Sequence, residues 1–430
     1  MQKTFISMIA ATALSAGAVM PAFGTEVTLA RFFGSCQDAG TDVSAAVGEA
    51  CIIQSIINAF DAENDDFDVT TLPTDWGNYY DQIIASYASG NPPDVHVMHR
   101  HRIPEYGQIG ALADLTDDLM AHGIDPDDWT DSAREAVTWN DRILGVPMDL
   151  HANLWHVNMD LMEAAGLVEN GQPILPSSPE EMMEHAEMVR EATGQYYLAA
   201  DFSEFEIGVR MVLAFLWQQD SNIFANGTAT INTPEARNAL ELITGLFDGG
   251  YANSRTNYAD SQQSFLNGEA AVLVNGTWVV DFYAEQAADE DVELTHYYVA
   301  DFPTLYDEPA TWADTHLWAI PASVKRDNPE VYEGALQLLA FINDHNIDWA
   351  RTGHAAVRES VLNSDEYAAL PHRSEYDNTV NIARDTPASA RYGAIQDILN
   401  REFQAIWLTG KSIDAALSDA EEDVQSQLDR

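Results

Sequence analysis

The sequence predicts an α/β protein built on a parallel sheet and divided into two lobes. Strand-like and helix-like segments alternate between residues 26 and 98, the order of a parallel α/β sheet. The chain has 430 residues, too many for one ordinary domain, so two lobes of about 150–200 residues are expected. A hydrophobic content of 46% is enough for two cores.

Residues 26–33 read as the first strand, followed by a Gly-, Ser- and Asp-rich loop carrying Cys36. From 47 to 60, Cys51, Ile52, Ile56, Ile57 and Phe60 recur at helical spacing. Residues 66–72 read as a second strand. Residues 79–87 read as a helix stopped by Gly90-Asn-Pro-Pro93, and 94–98 as a third strand. A short helix over 103–109 precedes Gly110. Residues 144–147 and 153–157 read extended, and 160–165 as a short helix stopped by Gly166. A longer helix is expected over 179–192 with Ser178 as its N-cap. Amphipathic helices follow over 206–217 and 234–247, the second with Thr233 as cap and Pro234 in its first turn. Residues 270–275, 297–302 and 317–320 read as strands, 329–343 as a helix, and 388–430 as mostly helical. No repeat or flexible linker separates these segments. The lobes should therefore be intimately joined, with the chain crossing between them more than once.

Residues 1–24 have the layout of a secretory signal peptide: Lys3 near the start, an apolar run from 5 to 19, then Ala22 and Gly24 before the cleavage point. Cleavage there would start the mature chain at Thr25. The apolar run is short of the about 20 residues of a membrane span, and no cysteine follows Gly24 to carry a lipid. Cys36 and Cys51 are the two cysteines. In an exported chain an even count favours a disulfide, with two buried thiols as the alternative, and the spacing suits no metal site. Lys and Arg number 20 against 69 Asp and Glu, a net charge of −49. That excludes nucleic acid and anionic membranes as partners and fits a surface that stays soluble in salt.

Several segments, taken in order, resemble a known family. They are Gly90-Asn-Pro-Pro-Asp-Val95 with Tyr106-Gly-Gln-Ile-Gly-Ala-Leu-Ala-Asp-Leu115, and Gly145-Val-Pro147 with Leu154-Trp-His-Val-Asn-Met-Asp-Leu161. Glu163-Ala-Ala-Gly-Leu167, the run from Phe265 to Trp278, Ala319-Ile-Pro-Ala-Ser-Val-Lys325 and Gly353-His-Ala-Ala-Val-Arg358 complete the set. The order resembles the extracellular sugar-binding proteins of ABC importers, the maltose-binding-like solute-binding family. The resemblance implies a two-lobed periplasmic-binding-protein fold with multiple crossing strands and a ligand cleft. It places the first lobe at 25–148 plus 301–345 and the second at 149–300 plus 346–430. It implies a periplasmic, monomeric, non-enzymatic protein without cofactor, which takes a carbohydrate to ABC transporter permease subunits. The cysteine-bearing insert, the scarcity of lysine and the His-rich stretch 96–101 depart from the family.

A sugar site needs flat aromatic rings against C–H faces and polar side chains paired with hydroxyls. By resemblance, Trp278 at the end of a strand stacks on a sugar ring; packing between lobes is the plainer role. His99, His101 and Arg102 follow the third strand, whose carboxyl end faces the cleft. Asp149 and His151 lie at the expected first crossing. Glu204 and Phe205 precede a helix, and Trp312, Asp314 and His316 lie in an expected polar loop before the 317–320 strand. Arg358 resembles a position near the ligand or the hinge. Gln37 and Trp76, with Arg31, Asp38, Tyr79 and Tyr80, occupy loops on the cleft side. A metal reading would use His96, His99 and His101, but strand alternation separates His96 from the other two. Two other classes stand beside this one. A secreted glycosidase would need a carboxylate pair, which 69 acids make uninformative. A binder of a polyamine, metal chelate or peptide would suit the acidic charge.

Overall fold

The computed structural model describes residues 24–430, so the expected signal peptide, apart from Gly24, lies outside the described residues. The first strand, Thr25–Arg31, buries Val27 and Leu29. The helix Glu49–Glu63 packs Ile52, Ile53, Ile56, Ile57 and Phe60 into the same core, one apolar stripe at helical spacing. Phe67–Pro73 and Val95–His99 flank the first strand in parallel, with Thr25 opposite Phe67 and Leu29 opposite Val95.

The sheet then continues into the second half of the molecule. Its order is Phe67–Pro73, Thr25–Arg31, Val95–His99, Thr311–Ala319, Val146–Asn158, Ala270–Gly276 and Tyr196–Ala199. Val146–Asn158 is one strand of 13 residues, every one buried. It pairs antiparallel with Thr311–Ala319 through residues 146–152 and with Ala270–Gly276 through 153–157. Tyr297–Ala300 pairs with the far end of the same strand. The two extended pieces expected around it are thus one element, whose coverage on both faces removes the inside–outside alternation of a half-exposed strand.

Two main cores form on either side of this crossing. One gathers residues from Val27 to Met148 and from Leu317 to Val357. The other gathers residues from Trp155 to Trp312 together with the helices Tyr392–Thr409 and Ile413–Leu428. Ile207–Trp217, at the heart of the second core, is buried along its whole length. The expected caps form: Ser178 Oγ accepts the Glu181 N–H at 3.1 Å and Thr233 Oγ1 accepts the Ala236 N–H at 3.2 Å. No helix among the described residues is long and apolar enough to cross a membrane.

Two expectations need correction. Trp312, Asp314 and His316 do not lie in a polar loop; they belong to the buried strand Thr311–Ala319. Polar residues in a strand mimic a loop when their partners are hidden in other segments, as the Thr311 hydroxyl's acceptor, the Asn153 carbonyl, is here. Trp76 opens the helix Trp76–Ala88, which begins three residues before the expected 79, so Trp76 is helical and not in a loop.

Cys36 and Cys51 form a disulfide across 15 residues, with Cα atoms 5.0 Å apart. Replacing both with serine should cost about 3 kcal/mol in the chain-entropy picture, read as a lower melting temperature that reductant no longer changes. Gly353 has φ +115°, and a Cβ there would lie 2.2 Å from the Thr277 carbonyl oxygen. Gly353→Ala should cost about 2 kcal/mol or more, measured by denaturant unfolding.

Candidate ligand-binding cleft

The pleat explains why so many polar side chains meet on one face. His316 lies opposite both His99 and Asp149, and Asp314 lies opposite His151. Residues two apart on a strand share a face, so three neighbouring strands send His99, Asp149, His151, Asp314 and His316 to the same side. His96, an odd number of residues from His99, turns the other way, and its Nε2 meets Tyr87 Oη at 2.7 Å.

Asp149 organises this layer. Its carboxylate is fully buried and accepts the Trp349 indole N–H at 2.6 Å, the His316 Nδ1 at 2.9 Å and the His151 Nδ1 at 3.1 Å. Burial alone would raise this carboxyl; His316, His354 and the hydrogen bonds outweigh it and hold it well below the usual range. Burial keeps His99 and His151 neutral, with His316 adding to it, and the His151 ring falls to about 3. Burial also opposes charge on His354, but Asp149 and Glu49 raise it, the latter through a 2.9 Å contact. The His151 and His316 rings stack with centroids 3.8 Å apart.

Above this floor opens a cavity of about 330 Å³, within the range of small-molecule sites. From the first half come Phe32 and Gly34 after the first strand, Glu49, and Trp76. Phe205, Glu206, Arg210, Tyr258 and Trp278 face them from the second half. Arg210 pairs with Glu206 at 2.7 Å and lies 3.6 Å over the Trp312 ring. The Trp278 indole donates to Tyr258 Oη at 2.8 Å, fixing the plane of its ring.

Comparison with known proteins places this architecture. Residues 55–375 match the family of bacterial extracellular solute-binding proteins. The chain belongs to that family. Maltodextrin-binding protein MdxE of Bacillus subtilis (strain 168) is 25% identical over 305 residues, 68% of this chain and 67% of that protein. Maltose-bound MalE3 of T. maritima superposes with a TM-score of 0.79 at 20% identity, covering 94% of this chain and 100% of that one. UgpB from Mycobacterium tuberculosis, in complex with glycerophosphocholine, gives 0.77 at 20% identity, covering 95% and 98%. The two-lobed α/β fold implied by the motif order is the fold of this solute-binding protein.

Within it, His99, His151, His316, Trp76, Phe205 and Trp278 line the cleft. Asp149, Asp314, His101 and Trp312 lie beneath it. Asp314 holds His101 and accepts the Thr315 N–H at 2.7 Å. Burial opposes its ionisation, yet His101 brings its carboxyl to about 2. Arg102 packs 4.3 Å over the Tyr80 ring and pairs with Glu105 at 3.3 Å. Gln37 and Glu204 are exposed and do not line the cavity. Arg358 is engaged by Asp128 at 2.8 Å and Asp344 at 3.3 Å, outside the lining.

Sequence reasoning missed Glu49, Glu206, Arg210, Tyr258 and Phe32. Arg210 had a legible signal: it is a charge inside the apolar helix Ile207–Trp217, four residues after Glu206.

Asp149→Ala should cost about 3–5 kcal/mol, because it strips a buried charge network of its centre. Thermal unfolding of the unliganded protein measures it; an unchanged melting temperature would remove Asp149 from that role.

Proposed function

We propose that this protein captures a small carbohydrate, a mono- or oligosaccharide or glycoside, in the cleft between its halves. It then delivers that solute to the permease subunits of an ABC importer. The observation that carries this reading is the composition of the cavity wall. Trp76 and Phe32 face Phe205, Tyr258 and Trp278, while Glu49, Glu206 and Arg210 reach the same space. Aromatic faces suit the C–H surfaces of a sugar ring, and charged planar groups bind adjacent hydroxyls strongly. Relatives that bind maltodextrin and maltose support it.

Two separate cores support two lobes near the bounds set out above, 25–148 plus 301–345 and 149–300 plus 346–430, except that Phe302, Leu305, Ala310 and Trp312 pack in the second core and Trp349 and Val357 in the first. Ligand then shifts the population from open lobes to closed ones. We read the protein as a monomeric binder and not an enzyme. Glu206 is tied to Arg210 and Glu49 to His354, which leaves no free carboxylate pair in the cavity wall among the described residues. The extracellular family fits removal of residues 1–24 on export to the periplasm.

A second reading has its own support. Two carboxylates among aromatic rings also suit a cationic solute, such as a polyamine, and glycerophosphocholine-bound UgpB shares the fold. A thermal-shift screen of sugars, polyols, amines and glycerophosphocholine separates the two. A ligand at 100 times its Kd adds about 2.7 kcal/mol. A shift with sugars alone is the expected result; a shift with amines alone rejects the carbohydrate. Trp278→Ala should then weaken binding of the hit at least about tenfold, or 1.4 kcal/mol, by calorimetry.

A further inference from the structure

The aromatic wall does not account for the three imidazoles at the base of the cavity. We infer that His99, His151 and His316 form a binding site for a divalent transition metal of the imidazole-preferring kind, such as zinc or copper. The inference is independent of which solute the cleft takes.

One ring nitrogen from each of the three lies within 4.8 Å of the others, and all three residues are buried. Zinc–nitrogen bonds of about 2.0–2.1 Å set tetrahedral ligand atoms about 3.4 Å apart. Small movements of the rings toward a common point would therefore close the site.

The neighbours of the rings match what metal-bound histidines need. Such a histidine nearly always fixes its second ring nitrogen on a carboxylate, carbonyl or hydroxyl. Here Nδ1 of His151 and Nδ1 of His316 contact the two oxygens of Asp149, at 3.1 and 2.9 Å. Nδ1 of His99 contacts Tyr80 Oη at 2.7 Å. Nε2 of each ring is left for a ligand.

A second observation points to an occupant. Nε2 of His151 is buried with no hydrogen-bond partner among the described residues, although His151 is 2% exposed and lines the cavity. With Nδ1 donating to Asp149, this atom is an acceptor left bare, which costs free energy unless something fills it. The ionised Asp149 offsets part of the metal's charge. Arg210, a cation in the same cavity wall, is held by Glu206.

Asp149, His316 and His354 also cluster, but that set is a poorer candidate. Asp149 is already spent on four donors, including the His316 backbone N–H, and both ring nitrogens of His354 are engaged, by Thr277 Oγ1 at 2.8 Å and Glu49 at 2.9 Å. In the first set a fourth coordination position faces the open cavity, where a water or an oxygen of the solute would complete the shell.

The test is titration of the purified, EDTA-dialysed protein with Zn²⁺ by calorimetry, and with Co²⁺ by visible absorption, without any sugar. One equivalent should bind in preference to Mg²⁺ or Ca²⁺, and Co²⁺ should give the intense bands of a low-coordinate nitrogen site. His151→Ala and His99→Ala should each weaken Zn²⁺ binding at least about tenfold. His296→Ala, at an exposed histidine paired with Asp160, should leave it unchanged. Loss of binding in the His296 variant, or wild-type affinity in both cleft variants, would assign the metal to the surface and overturn the inference. So would the weak spectrum of octahedral Co²⁺, a result read on the unmodified protein. With no sugar present, a negative titration leaves the carbohydrate reading intact, and a failed sugar screen leaves the metal.

Discussion

A carboxylate with no exposure at all sits where the long strand Val146–Asn158 passes from one core to the other. Water cannot stabilise the Asp149 charge there, so the protein must, and buried charges persist only when paired. The partners come from separate parts of the chain: His151 on the same strand, His316 on the neighbouring strand, Trp349 and His354 beyond the helix Pro329–Asp344. Meeting that one requirement joins the segments that pass between the halves. It also fixes the orientation of the rings that form the cleft floor. Stability and binding geometry thus depend on the same contacts.

The net charge of −49 has little part in this. The acids at the cleft are all engaged by cations or donors: Glu206 by Arg210, Glu49 by His354, Asp314 by His101 and Asp149 by four donors. Paired acids let the cavity present directed hydrogen-bonding groups without a large local field. A neutral polyol meets no net repulsion there.

Local patterns made the first half of the fold legible. The stripe from Ile52 to Phe60 and the alternation of short strands are signals carried within one segment. The caps at Ser178 and Thr233 were legible for the same reason. The cavity lining was legible at strand ends, as at His99 and Trp278, and at Trp76, His151, Phe205 and His316. It was missed where the signal spans segments. Thr311–Ala319 reads as a polar loop because the partners of Asp314 and His316 lie more than 150 residues away in sequence, at His101 and Asp149. Glu204 was chosen over Glu206 because both are acids near a helix start, and only packing against Arg210 distinguishes them. Arg358 follows a motif that resembles a ligand-proximal one, yet two aspartates hold it elsewhere.

The cysteine insert, a departure from the family pattern, is better understood from this geometry than as added stability alone. Gly34, just before the loop closed by Cys36 and Cys51, and Glu49, just inside its far end, both lie in the cavity wall. The same loop is tied outward at three points. Arg351 donates to the carbonyls of Val43 and Ala46, and the Gly48 N–H reaches the Asp281 carboxylate at 2.7 Å. Asp281 lies in the helix Val280–Gln286, which follows Trp278 in the opposite wall. Burial, against the pull of its two backbone hydrogen bonds, raises its carboxyl to about 6. Separating the halves would return that carboxylate to water, so part of the cost of breaking the Gly48 contact is regained on opening. The Gly48 contact thus joins the disulfide-closed loop to the helix that follows Trp278.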